Sequence, residues 1–385
     1  MHIGLVCPYR LSTPGGVQEH IKALAQQLGH YGHRVTIISP GQGKRLQRGH
    51  IFIGRSIKVP TQNRSWAYLS LFLDSPPGQL KKLLREQKFD LLHFHEPFSP
   101  FLCWQILQNS SVFNVATFHS EWRSSGHPWV VNSLGFLLRP LTPRIREKLH
   151  GVIAVSQAAA QSWPEIFDSS RPQAIIPNGI DLQRFHPQVP PRRIFGNLPT
   201  ILFVGRIEAR KGLGYLLRAF NLLIKRQPQV RLVIVGSGPL AVTARLWVKK
   251  QQLEEAVFFA GRVSDAELPS FYRGADLFCS PATGGESFGI VLLEAMASGL
   301  PLVVFANQGY RETLKNCPFP DAVLIPNRDF RALSQALERV LFDSQLKEKI
   351  QRWGLKEVQQ YSWQRIGRKI NSFYEKVLYP PLLQQ

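Results

Sequence analysis

Residues 283–299 read TGGESFGIVLLEAMASG, a glycine-rich loop that passes into a helical pattern near Phe288. Gly284, Gly285 and Gly289 let the backbone approach a ligand closely and adopt conformations that other residues resist. A helix starting here points free N–H groups back at the loop, which suits phosphate oxygens. Glu286 and Glu294 would lie about 80° apart around a helix after two turns. If the helix begins after Glu286, the two carboxylates work at different depths. Two acids beside a phosphate site suit a ligand with hydroxyls as well as phosphates, such as a nucleotide sugar. The plainer alternative is a solvated helix start with a Glu in its first turn.

Around this stretch, 385 residues suffice for two ordinary domains. The 47 Lys and Arg outweigh 26 Asp and Glu, for a net charge of +21, so anionic partners are expected: phospholipid, nucleic acid or phosphorylated substrates. Cys7, Cys103, Cys279 and Cys317 lie far apart without a CxxC pair, which argues against a disulfide framework or zinc site and fits a reducing compartment. No apolar run approaches about 18 residues, so no spanning helix is expected. Met1-His2-Ile3 lacks a basic lead-in, so no signal peptide is expected.

The first half reads as strand, glycine loop and helix. Residues 2–8 form a buried strand, 9–16 a loop ending in Gly15-Gly16, and 17–32 a helix with period through Val17, Ile21, Leu24 and Leu28. This opens a doubly wound domain, although Gly15-Gly16 is not the dinucleotide fingerprint. A second strand covers 34–40. Residues 41–77 are less regular and carry Lys44, Arg45, Arg48, Arg55 and Lys58. Within them, 61–73 reads either as a loop and core helix or, through Trp66, Tyr68 and the nearby cations, as a membrane-interface segment. Residues 81–88 form a basic helix. The strands 89–95 and 112–118 end at His95 and His119, on the rim where open α/β sheets bind ligands. Neither histidine carries a carboxylate pattern typical of zinc enzymes, so no metal is expected. Residues 122–149 are amphipathic and aromatic, 151–156 a strand, and 188–199 a Pro- and Arg-rich linker.

The second half opens with a strand over 200–206, with Arg206 at its end and Lys211 at the start of the next helix. Cations disfavour a helix N-terminus, so an anionic partner such as a pyrophosphate explains them better than chance surface placement. Further strands are expected at 231–236, 257–263, 275–281, 300–305 and 323–326. Helices are expected at 330–342, 344–359 and 363–378.

Glu286, seven residues, Glu294, flanked by Gly-Gly and Ala-Met-Ala-Ser-Gly, resembles the signature of retaining glycosyltransferases of family 4. The segments IPNGID (176–181), VGRIEARKG (204–212) and VGSGP (235–239) resemble further motifs of that family. The segments LHFHEP, VATFH and IAVS bring the texture close to the phosphatidyl-myo-inositol mannosyltransferase subgroup. The resemblance implies an α/β GT-B fold, two Rossmann-like doubly wound domains facing across a cleft. The expected acceptor domain is 1–187, with a helix over 364–385 crossing back, and the donor domain is 188–363. Carried over by motif, His119, Arg206, Lys211 and Glu286 are the catalytic group. Gly16, Gly205, Gly236, Gly238, Val263, Ser287, Phe288, Gly289, Ile290 and Val291 line the donor, Glu286 meets sugar hydroxyls, and Glu294 the ribose. Tyr9, Gln18, Asn63, Ser65, His95 and His119 face the acceptor or donor sugar.

The resemblance further implies a nucleotide-sugar donor, no metal or other cofactor, and retention by a front-face route. GDP-mannose and a lipid-linked or polyol acceptor at the inner face of the plasma membrane are one expectation. A soluble transferase using a UDP-sugar such as UDP-glucose on a small sugar or polyol is the other. The segment after Asn63 departs from the subgroup, being aromatic and apolar, which leaves the inositol-lipid acceptor open. A non-enzymatic anion or nucleic-acid binder is the remote third reading, and no nucleic-acid module is apparent.

Overall fold

A computed structural model describes residues 1–13, 15–41, 46–47, 49–60, 66–72, 77–98, 102–119 and 142–379. The chain divides into two compact units, Met1–Gly179 joined by the chain from Trp363 onward, and Ile180–Ser362.

The first unit contains β1 (His2–Val6), β2 (Arg34–Ser39), β3 (Leu46–Gln47), β4 (His50–Phe52), β5 (Arg55–Pro60), β6 (Trp66–Phe72), β7 (Leu91–His95), β8 (Phe113–Phe118), β9 (Gly151–Ala154) and β10 (Gln173–Ile175). Eight of them form one sheet in the order β10-β9-β8-β7-β1-β2-β4-β3, parallel except for the β3–β4 pair. All five residues of β1 and of β7 are buried, because helices cover both faces of a parallel sheet. On one face, α1 (Gly16–His30) supplies Ile21, Leu24 and Leu28, and the closing helix Trp363–Leu378 supplies Ile366, Ile370, Phe373 and Val377. Their spacing is the apolar stripe of an amphipathic helix. On the other face Leu83, Ile106 and Leu107 pack with Phe94, Phe118 and Trp163. Each such side chain contributes about 1.5–3 kcal/mol by leaving water.

Residues 66–72 depart from the core-helix reading of 61–73. Strands β5 and β6 pair antiparallel as a separate ribbon, with Lys58 opposite Tyr68 and Pro60 opposite Trp66. Aromatic residues at 66, 68 and 72 suit a strand better than the expected core helix. Lys44, Arg45, Arg48 and residues 61–65 lie outside the described residues, as do 122–141 of the amphipathic stretch.

The second unit contains β11 (Thr200–Val204), β12 (Arg231–Val235), β13 (Val257–Gly261), β14 (Leu277–Ser280), β15 (Leu302–Phe305) and β16 (Leu324–Ile325), in the parallel order β13-β12-β11-β14-β15-β16. The division falls at Gly179/Ile180 rather than at 187/188. The 188–199 stretch is no free linker: the Arg192 amide donates to the Ser270 carbonyl at 2.8 Å, and its guanidinium pairs with Glu267 and lies over Phe271. Trp363 likewise belongs with the first unit, one residue before the expected crossing at 364.

In each sheet the chain winds outward in two directions from one central pair, β1/β7 in the first unit and β11/β14 in the second. Loops at the carboxyl ends of such a pair diverge and leave room for a ligand.

Candidate active site

In the second unit, β11 delivers Gly205 and Arg206, a single helical turn Ala209–Lys211 follows, and the helix Leu213–Arg226 begins beyond Gly212. Gly212 has φ +73°, and a Cβ there would overlap the Pro281 carbonyl oxygen, so the turn requires glycine. That close approach fastens the Lys211 loop to the end of β14. The Thr283 amide donates to the Arg210 carbonyl at 2.8 Å, and Arg210 Nη1 donates to the Gly285 carbonyl at 3.2 Å.

The charges interlock. Lys211 Nζ lies 2.7 Å from Glu286 Oε1, and Arg210 pairs with the same oxygen. Glu208, buried at 4% exposure, takes Arg206 Nε at 2.7 Å on one oxygen and faces Arg210 Nε at 3.3 Å with the other. Burial alone would raise the Glu286 carboxyl, but Lys211 and Arg210 outweigh it and hold the group below its ordinary value. Three cations and two carboxylates therefore meet beside the helix Ile290–Ala297, whose N-cap is Gly289 at φ +92°. Glu294, on that helix, accepts the Tyr272 hydroxyl at 2.7 Å, and desolvation raises its carboxyl.

In the first unit the histidines converge. His95 ends β7 and His119 follows β8; His95 Nδ1 and His119 Nε2 are 2.9 Å apart. Glu96, at φ +54°, turns its carboxylate to accept the His119 amide at 2.8 Å. His20 of α1 donates from Nδ1 to Asn178 Oδ1 at 2.9 Å. Its ring centroid lies 4.7 Å from that of His119 and 5.4 Å from that of His95. His93 is fixed between the Tyr374 hydroxyl and Thr117 Oγ1, each at 2.7 Å. Burial pushes His20 down to about 4 and His93 down to about 3, and holds His95 and His119 well below the usual imidazole range. All four rings are therefore neutral at pH 7. A neutral imidazole offers one donor and one acceptor, suited to sugar hydroxyls.

Of the residues singled out by sequence, Gly205, Arg206, Lys211, Gly236, Gly238, Glu286, Ser287, Phe288 and Gly289 lie in loops that follow strands of the second sheet, and Ile290, Val291 and Glu294 on the helix Ile290–Ala297. The Gly236 amide donates to the Gly261 carbonyl at 2.7 Å, and Val263 follows two residues on. Gly16 is the first residue of α1, Gln18 is buried in its first turn, and Tyr9 follows β1. Asn63 and Ser65 lie outside the described residues. Sequence reasoning missed Glu208, Arg210, His20, Asn178 and Tyr272. His20 had a signal, a polar ring on the α1 face set by Val17, Ile21 and Leu24.

Residues 14–184 match the family described as Glycosyltransferase Family 4, and residues 187–356 the family described as Glycosyl transferases group 1. The chain belongs to glycosyltransferase family 4. It is a hexosyltransferase of that family and needs no cofactor beyond a nucleotide-sugar donor. It is 35% identical to the phosphatidyl-myo-inositol mannosyltransferase of Mycobacterium tuberculosis, over 98% of this chain and 97% of that one. The Mycolicibacterium smegmatis enzyme of the same name is 36% identical, over 98% and 94%. The alpha-monoglucosyldiacylglycerol synthase of Streptococcus pneumoniae is 24% identical, over 97% and 85%. Among solved structures, Anabaena HepE in complex with UDP-glucose superposes with a TM-score of 0.74 at 18% identity, over 98% of this chain and 100% of that one. Sucrose-phosphate synthase from Thermosynechococcus elongatus gives 0.71 at 21%, over 99% and 100%. These structural likenesses establish the GT-B fold. Among the described residues, no helix is long and apolar enough to cross a membrane.

Proposed function

We propose that this family-4 transferase moves mannose from GDP-mannose to a lipid-linked or polyol acceptor, with retention, working peripherally at the cytoplasmic membrane face. The carrying observation is the convergence of Lys211 and Arg210 on Glu286, with Arg206 on the neighbouring Glu208. Such a cluster can exchange carboxylate partners for the two phosphates of a donor. Identity to the mannosyltransferases over nearly the whole chain supports the sugar and the lipid, and a net charge of +21 supports an anionic surface.

In this reading Arg206, Lys211 and the N–H groups at the start of the helix Ile290–Ala297 stabilise the diphosphate as it departs. Glu286 orients sugar hydroxyls and Glu294 holds the ribose. The acceptor oxygen attacks the anomeric carbon on the face the diphosphate leaves. The leaving phosphate oxygen takes the acceptor proton, so the configuration is kept. His95 and His119, with Tyr9 and Gln18, hold hydroxyls on the acceptor side. Asn63 and Ser65 are assigned there by motif.

A thermal-shift panel of GDP-mannose, UDP-glucose and ADP-glucose tests the donor. Ligand at 100 times its Kd adds about 2.7 kcal/mol, so the preferred donor stands out. Selective response to UDP-glucose overturns the mannose assignment in favour of a glucosyl transfer, as the name of the pneumococcal relative suggests. Co-sedimentation with anionic vesicles tests the membrane. Binding that weakens with salt but persists supports it, and no binding at low salt returns the protein to a soluble acceptor.

A further inference from the structure

We propose that His20, His95 and His119 form a three-histidine site for a borderline divalent transition ion such as Zn²⁺, and that the bound ion blocks transfer rather than assisting it. The three side chains can each offer a ring nitrogen, and these nitrogens lie within 4.8 Å of one another. Tetrahedral zinc with Zn–N bonds of about 2.0–2.1 Å sets neighbouring nitrogens about 3.3 Å apart, so the rings need close by about 1.5 Å at most.

Two of the nitrogens also lack any other partner. His20 Nδ1 carries its hydrogen, because Asn178 Oδ1 can only accept. In a neutral ring Nε2 is then a bare lone pair, and it is buried without a hydrogen bond. His95 Nε2 is buried without a partner as well. When His95 donates from Nδ1 to His119 Nε2, this nitrogen is a second bare lone pair, and the His119 lone pair reaches an ion once that 2.9 Å hydrogen bond gives way. Unpaired buried acceptors are costly, and a Lewis acid satisfies them together.

The surroundings fit an ion. Asn178 orients the His20 ring from outside, as partners of ligating histidines do. Glu96, buried and bonded to the His119 amide, places a carboxyl group beside one of the three ligands. His93, held at both nitrogens, is excluded as a ligand. An all-imidazole set selects zinc, cobalt, nickel or copper over magnesium and calcium. The ion is no cofactor of the transfer. The blocking half of the proposal rests on the acceptor-side assignment of His95 and His119, whose nitrogens the ion would occupy; the binding half does not.

The test uses tag-free full-length protein stripped with EDTA. Co²⁺ titration should give the intense visible bands of four-coordinate cobalt, saturating at one equivalent and bleached by Zn²⁺. His20→Ala should weaken cobalt binding at least 100-fold, and Asn178→Ala by about 10- to 100-fold. His20→Gln, closer in volume, is used if the alanine variant fails to fold, with circular dichroism as the check. Absence of saturable bands, or equal binding in wild type and His20 variants, overturns the site. Zn²⁺ should lower transfer reversibly, restored by EDTA, while Mg²⁺ does not. Zinc binding without inhibition overturns the blocking half. If transfer with GDP-mannose is absent while the cobalt bands and their loss in His20→Ala persist, the proposed function has failed and the site has not.

Discussion

Lys211 Nζ is 2.7 Å from Glu286 Oε1, so the cation assigned to the donor diphosphate is held by a carboxylate of its own chain. A diphosphate that recruits Lys211 must share it with Glu286 or take it away. Removing the cation should therefore cost the donor a charge-assisted contact. Lys211→Ala is expected to weaken nucleoside diphosphate binding about 10- to 150-fold, equivalent to about 1.5–3 kcal/mol. Calorimetric titration measures it, and unchanged affinity would remove Lys211 from the donor site.

Removing the carboxylate should act differently. Glu286→Gln leaves Lys211 and Arg210 without their shared anion and is expected to destabilise the protein by about 3 kcal/mol at pH 7. The Glu286 pKa is depressed in the fold, so its contribution is complete above the ordinary carboxyl value of 4.5 and disappears as pH falls through the lower folded value. The stability gap between wild type and variant should thus be constant from pH 7 to 5.5 and close below 4.5. Urea midpoints across that range check the sign. A nucleoside diphosphate should raise the Tm of the variant at least as much as that of wild type, while sugar transfer drops. Loss of diphosphate binding would show Glu286 to hold the phosphate side rather than the sugar.

Glu208 anchors two guanidinium groups from a buried position. Glu208→Gln keeps the shape and removes the charge. The expected result is a donor KM raised about tenfold, the size of one lost charge-assisted hydrogen bond. Steady-state kinetics with varied donor reads this. An unchanged KM would show that Arg206 needs no anchor.

Gly212→Ala forces a side chain into a left-handed position and against the Pro281 carbonyl. Strain of this kind costs about 1–3 kcal/mol before the clash is counted. In a unit of this size that corresponds to a Tm lowered by about 2–12 °C. Donor affinity should fall too, because Lys211 precedes the displaced turn. A melt within 1–2 °C of wild type, again on the scale of a few degrees per kcal/mol, would mean that the turn adapts.

Much of the fold was legible because its elements carry strong periodic patterns. Runs such as HIGLV and TILFV are apolar on both faces, as parallel strands between helices must be. Trp363, Ile366, Ile370, Phe373 and Val377 mark the closing helix by their spacing. Strands β3 and β4 were hidden because they have two and three residues, too short for any period to register. The docking of Arg192 on Ser270, 78 residues away in the chain, was hidden because a Pro- and Arg-rich composition cannot reveal it.

Arg206, Lys211 and Glu286 were readable as charges in a motif. Glu208 and Arg210 looked like filler between them, since their importance depends on the loop after β14. His20 resembled a core residue of α1 until folding set it beside two strand-end histidines from elsewhere in the chain.

The closing helix has a consequence for synthesis. Until residues 363–378 leave the ribosome, α1 is the one helix among the described residues that packs on the sheet face carrying Ile3, Leu5, Val115 and Ile153. At about 5–20 residues per second, roughly 10–40 s pass between translation of Gly179 and arrival of that helix. The continuous segment 180–362 is complete within the interval. The later-made unit therefore has its whole chain available before the first unit does.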